Sequence, residues 1–299
     1  MTKKLVPVLF LMLFSSTLFA QQLDPVTKWA TIAAYEYQVH PNIVYGKANN
    51  VDLKLDVITA GPVSQKRPTV IYIHGGGWVG GSKEFYELWP LPFLAKGMNV
   101  VNVEYRLAHV SLAPAAVEDC RCALRWVYRN ASKYGFDTSK LVVAGHSAGG
   151  HLALMTGMLP QHSEFDTMCP GKEDLKVAAI VNFFGITDVA DLLQGPDLRT
   201  WAVEWLGSQP NRMELAKQLS PLTYVRKGLP PIITIQGDQD PLVPYHQGVD
   251  LERALNRASV PNQLVTIPGG GHGGWSRSEN MRAEEAVFNF LQAHGILPQ

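Results

Sequence analysis

A five-residue stretch, Gly145-His146-Ser147-Ala148-Gly149, constrains this chain more than any other feature. The apolar run Leu141-Val142-Val143-Ala144 leads into it, and the small-residue run Gly150-His151-Leu152-Ala153-Leu154 leads out. That order reads as strand, sharp turn and helix. Glycines two before and two after Ser147 leave room where side chains would strike neighbouring backbone. A serine at the apex points its hydroxyl outward, free to attack a carbonyl. Taken alone, the pentapeptide also fits a glycine-rich turn without chemistry, so the rest of the chain decides between the two.

The surrounding pattern is one of strands alternating with helices. Residues 43–58 alternate apolar and polar around Asn49-Asn50, which predicts an antiparallel hairpin. Continuous apolar runs follow at 69–73, 99–103, 140–144, 177–181, 231–235 and 263–267, the mark of strands buried on both faces. Helical spacing fills the gaps at 85–96, 115–133, 245–258 and 279–293, most clearly in the stripe Val117, Leu124, Val127 and Tyr128. We therefore expect an α/β fold: one mainly parallel sheet with helices on both faces, and its chemistry in loops at the carboxyl ends of the strands. No internal repeat or low-complexity linker divides the chain, which predicts a single catalytic domain over residues 21–299.

Residues 1–20 read as a secretory signal. Lys3 and Lys4 precede an apolar core from Leu5 to Phe14, and a polar approach ends at Ala20, where cleavage is expected. The apolar run is short for a membrane span. A periplasmic or secreted protein is the expectation. Lys and Arg together number 26, as do Asp and Glu, so neither a nucleic-acid surface nor an anionic membrane partner is indicated. Of three cysteines, Cys120 and Cys122 sit two apart on a predicted helix and point away from each other. Two readings stay open: Cys169 bonded to one of them in an oxidising compartment, or three reduced thiols. No metal-ligand spacing is present, so neither metal nor cofactor is expected.

Three loops carry the candidate chemistry. After the 69–73 strand comes His74-Gly75-Gly76-Gly77-Trp78, whose glycines let backbone N–H groups approach a ligand. The amides of Gly76 and Gly77, with that of Ala148, are the expected oxyanion hole. His74 is expected to brace this loop. Asp238 and Asp240 follow the 231–235 strand, and His272 lies in a glycine loop after the last strand. Serine, acid and histidine in that order suit a proton relay in which His272 takes the Ser147 proton and a carboxylate orients the imidazole. Asp240 is preferred for its place before Pro241, leaving Asp238 to shape the turn and Asp188 to cap a helix. Of nine histidines only His272 has a loop able to swing it over the sheet; His146, beside the serine, should point away from its hydroxyl. Trp78 and Trp275 flank catalytic loops and are the expected substrate-binding aromatics.

At this point the residues resemble a family. His74-Gly75-Gly76-Gly77-Trp78, Tyr105-Arg106-Leu107, Glu118-Asp119-Cys120 with Leu124-Arg125-Trp126, the pentapeptide with its following Gly150-His151-Leu152-Ala153, and Asp240-Pro241-Leu242-Val243-Pro244 are similar to the α/β-hydrolases of the hormone-sensitive-lipase-like group. Within it the chain looks most like bacterial acetylxylan and feruloyl esterases. The resemblance covers nearly everything from about residue 43 onward. It implies an α/β-hydrolase fold, a Ser-His-Asp esterase mechanism, Asp240 as the acid and an ester of a small molecule or plant polysaccharide as substrate. Kynurenine formamidases share the H-G-G-x-W motif, so an amidase, peptidase or formamidase with the same triad is the rival. Arg106 and Asp119 should form a buried ion pair, with Tyr105 beneath the oxyanion loop. Residues 185–222, rich in tryptophan and leucine, should form a small helical cap with Trp201 and Trp205 in its core.

Overall fold

The structure is a computed structural model, and it describes residues 23–48 and 50–298. The leader expected over residues 1–20, with its cleavage point, lies outside the described residues. Two compact units are present, Met1–Tyr35 and Glu36–Gln299. The single domain expected from residue 21 is thus described from Glu36 onward. The described part of the first unit, from residue 23, holds all of helix α1 (Pro25–Glu36) but its last residue; Asp24 caps the helix, its Oδ1 accepting the amides of Val26 and Thr27.

In the second unit, eight strands form one sheet: β1 (Gln38–Ala48), β2 (Val51–Thr59), β3 (Arg67–Ile73), β4 (Asn99–Val103), β5 (Phe136–His146), β6 (Ala179–Phe183), β7 (Ile232–Gly237) and β8 (Asn262–Ile267). Their order across the sheet is β1-β2-β4-β3-β5-β6-β7-β8. The β1–β2 and β2–β4 pairs are antiparallel and every later pair is parallel. In β2 the alternation is literal, with Leu53, Leu55 and Val57 buried between more exposed neighbours. Strands β4, β6 and β7 are buried at every position, as the continuous apolar runs require. Two asparagines inside β4 are tied to neighbouring backbone: Asn99 Oδ1 accepts the Ala60 amide, and Asn102 Nδ2 donates to the Lys83 carbonyl.

The helices are α2 (Leu91–Ala95), α3 (Ala115–Arg129), α4 (Ala131–Tyr134), α5 (Ala148–Met158), α6 (Thr200–Leu206), α7 (Arg212–Gln218), α8 (Tyr245–Arg257) and α9 (Arg277–Ala293). One expectation fails here. Residues 85–96 do not form one helix: turns run to Pro90, bonded three residues apart, and only Leu91–Ala95 is helical. The aromatic spacing imitates a helix stripe, but Pro90 and Pro92 lack amide donors and so interrupt the ladder of helical hydrogen bonds.

Helix α3 is pinned on two sides. Arg106 forms a buried pair with Asp119 at 2.7 Å, tying the exit of β4 to α3. Cys122 is disulfide-bonded to Cys169 and Cys120 is a buried thiol, which closes the choice that the spacing left open. Among the described residues, no helix is long and apolar enough to cross a membrane.

Candidate active site

The apex of the β5–α5 turn is Ser147, held at φ 55° and ψ −124°. A non-glycine residue at positive φ is strained, and here backbone packing imposes the strain. A Cβ on Gly145 would run into the Gly149 carbonyl, and one on Gly149 would run into the carbonyl of Ile73 at the end of β3. The Ser147 amide donates to the Phe183 carbonyl at 2.9 Å, locking the turn to β6.

The acid loop leaves β7. Asp240 is buried; its Oδ1 accepts the amides of Leu242 and Val243 at 2.8 and 3.0 Å, leaving Oδ2 to face His272. Asp238 Oδ1 accepts the Gly269 amide at 2.7 Å, and the Gln239 amide donates to the Gly270 carbonyl, so this loop is zipped to the one after β8.

That second loop brings His272 over the sheet. Its Nδ1 lies 2.8 Å from Asp240 Oδ2 and its Nε2 lies 2.8 Å from Ser147 Oγ. A carboxylate can only accept, so the ring proton sits on Nδ1 and Nε2 is left to accept from the serine hydroxyl. Phe184 packs edge-on against the imidazole at 4.6 Å.

Beside the serine turn runs the glycine loop after β3. His74 is fully buried, stacks on Tyr105 at 4.3 Å and donates from Nδ1 to the Gly75 carbonyl at 2.8 Å. Tyr105 Oη donates to the His74 carbonyl at 3.1 Å. The amides of Gly76, Gly77 and Ala148 enter no turn or cap hydrogen bond among the described residues. Gly76, Gly77 and Ser147 all line a cavity of about 360 Å³.

The walls of that cavity differ from the sequence reading. Trp78 does not face it: at φ 61° the backbone turns the indole inward, fully buried and stacked 4.0 Å from Trp205. Trp275 does not line it either; half-buried, it donates from Nε1 to the Gly271 carbonyl at 3.0 Å and so braces the histidine loop. The walls are instead Tyr86, Trp89, Phe184, Trp201 and Leu242. Trp201 and Trp205 lie four apart on α6, one helix face. Trp205 is core, as expected, whereas Trp201, one turn earlier, reaches the cavity. Phe184 carried a usable signal, since it directly follows β6 where functional side chains belong. His146 also lines the cavity, and burial pushes its pKa down to about 3.

Away from the cavity, Asp188, expected to cap a helix, instead accepts the amides of Ala190 and Asp191 at its Oδ1, in the turn before the short helical turn Asp191–Leu193, whose N-cap is Ala190. Asp191, Asp197 and His246 lie close enough together to hold a cation, but they are partly exposed and His246 is already hydrogen-bonded to Asp191 at 3.0 Å.

The BD-FAE family model matches residues 55–255. Esterase LipC of Mycobacterium tuberculosis is 30% identical over 216 residues, which cover 69% of this chain and 53% of LipC. Carboxylesterase NlhH of the same organism is 29% identical over 238 residues, covering 74% of this chain and 71% of NlhH. The chain spans about half the length of LipC and of the probable carboxylic ester hydrolase LipM. Among solved structures, Thermogutta terrifontis esterase 2 with propionate bound superposes with a TM-score of 0.73 at 29% identity, over 89% of this chain and 97% of that one. A truncated carbohydrate esterase from gut microbiota superposes with a TM-score of 0.70 at 25% identity, over 86% and 96%.

Proposed function

The chain belongs to the BD-FAE family and has the α/β-hydrolase fold, and from that premise we propose that it is a serine carboxylester hydrolase acting through Ser147, His272 and Asp240. The observation that carries the reading is the continuous row Asp240–His272–Ser147, with both links at 2.8 Å, beside three amides without protein acceptors.

The chemistry follows from that row. As Ser147 Oγ attacks the ester carbonyl, its proton passes to His272 Nε2, and Asp240 stabilises the imidazolium. The carbonyl oxygen becomes an anion, for which the amides of Gly76, Gly77 and Ala148 are the proposed donors, free of any other backbone acceptor in the loop and turn. Collapse of the tetrahedral intermediate breaks the ester C–O bond, and the proton on Nε2 goes to the leaving alcohol. Water then gives a proton to Nε2, attacks the acyl-serine and releases the acid, with the proton returning to Oγ.

For substrate we favour short acyl or feruloyl esters on plant polysaccharide, at a periplasmic or extracellular site. Apart from His272 and the neutral His146, the cavity walls named above are uncharged, which suits a neutral acyl group. That lining offers no partner for the ammonium or carboxylate of an amino-acid amide, which disfavours the peptidase and formamidase readings. The disulfide accords with an oxidising compartment, as does the basic-then-apolar start of the chain. The test is hydrolysis of p-nitrophenyl acetate by the wild type and Ser147→Ala, followed by assay of acid released from acetylated xylan and methyl ferulate. A loss of several orders of magnitude in Ser147→Ala is expected; retained turnover would rule out the mechanism, and release of neither acid would rule out the substrate class.

A further inference from the structure

His146 directly precedes the serine, yet its ring turns away and reaches across the sheet to the loop after β3. The Gly75 amide donates to its Nε2 at 3.1 Å, and Tyr72 Oη lies 3.3 Å from its Nδ1. The first bond needs a lone pair on Nε2, so the ring proton is on Nδ1 and points at the tyrosine oxygen. A second ring proton would set N–H against the Gly75 N–H, and burial, which depresses the pKa to about 3, keeps that proton off.

The same ring is a wall of the cavity. It stacks on Trp89 with centroids 4.1 Å apart and planes 19° apart, and Tyr86 lies 4.4 Å away. On its other side Gly75 comes so close that a Cβ there would lie 2.8 Å from the ring. The run Gly75-Gly76-Gly77 has no side chains of its own and the largest backbone freedom to lose. It is held by borrowed contacts: Tyr105 beneath His74, the amides of Val79 and Gly80 on the Gly76 carbonyl, and His146 on the Gly75 amide.

We propose that His146 is a positioning residue for the acyl-transfer step, holding the Gly75 peptide so that the amides of Gly76 and Gly77 face the developing oxyanion. Because the ring that holds the loop also bears on Trp89, it joins the acyl-cavity wall to the oxyanion donors. This rests on the reading of Ser147 as the nucleophile.

Two amide substitutions separate positioning from mere packing. In His146→Gln the amide oxygen reaches about as far as Nε2 and can accept from Gly75, whereas in His146→Asn it stops near Nδ1. The measurement is kcat and KM on p-nitrophenyl acetate and butyrate, with Tm recorded for each protein. Losing a direct oxyanion donor costs about 10²–10³ in kcat, so loss of its support should cost less, about tenfold. His146→Asn is expected to lose about tenfold in kcat with KM changed less than about twofold, and His146→Gln to recover most of that loss at similar Tm. Equal kcat in the two amide variants, or activities that merely follow Tm, would overturn the proposal. His146→Leu, if it folds, should match His146→Asn; wild-type kcat in it would also overturn the proposal. Wild-type hydrolysis that survives Ser147→Ala would instead sink the underlying reading, so the two failures are distinguishable.

Discussion

Ser147 and His272 meet at 2.8 Å, but the turns that carry them, after central β5 and edge β8, are built in different ways. The serine turn is backbone packed on backbone, with Gly145 against Gly149 and Gly149 against Ile73, so no second arrangement fits. The histidine loop is tight only at its start, where a Cβ on Gly237 would run into the Gly270 carbonyl; Gly269 and Gly274 have open space around them. Polar contacts supply the rest of its support: Asp238 on the Gly269 amide, Trp275 on the Gly271 carbonyl and Asp240 on the imidazole. Short-range repulsion dominates at the proposed nucleophile, whereas the proposed base depends more on a few hydrogen bonds, each worth about 1 kcal/mol net. The difference fits the proposed chemistry, in which the hydroxyl presents one geometry while the imidazole serves first the serine oxygen and then the leaving group.

The comparison can be broken at the point where the two turns are joined. Asp240→Asn keeps the shape of the acid but removes the charge that selects the Nδ1 tautomer. Steady-state assays should show kcat falling by about 10²–10⁴ while Tm moves little. Next in size is Gly149→Ala, whose methyl group meets the Ile73 and His74 carbonyls. Overpacking of this kind costs about 1–3 kcal/mol or more, so thermal melts should drop by roughly 5–10 °C. Activity should fall by about 10²-fold as the serine turn shifts against the oxyanion loop.

Smaller effects belong to the histidine loop. Asp238→Ala frees the Gly269 amide and loosens the brace without touching the triad; a kcat loss of about three- to tenfold is expected, with Tm within roughly 4 °C. Gly274→Ala sharpens the contrast most, being the same substitution as in the serine turn. Here the methyl meets open space at φ 65°, so the cost is backbone strain alone, about 1 kcal/mol, with activity within about twofold of wild type. Equal damage from Gly149→Ala and Gly274→Ala would remove the distinction between the two turns.

Much of the sheet was legible because its evidence is local. Each apolar run found its strand, and 99–103 matched β4 end to end. The order serine, acid, histidine could be placed on the carboxyl ends of strands before any distance was known. What stayed hidden depends on side-chain direction. Trp78 and Trp201 trade places because a positive φ turns one inward, while a single helix turn leaves the other at the cavity edge. Nothing in composition encodes either. Tyr86 and Trp89 were hidden inside an imitation helix, and their place on the wall follows from the turns that Pro90 ends. The Cys122–Cys169 pairing needed three dimensions, because Cys120 lies only two residues away on the same helix.

The most direct test of an activated Ser147 is covalent labelling with a fluorophosphonate, read by peptide mass spectrometry in the wild type and in His272→Ala. The account predicts one adduct, on the peptide carrying Ser147, formed about 10²–10⁴ times more slowly once the imidazole is gone. An adduct on another residue, or equal labelling rates in the two proteins, would contradict it.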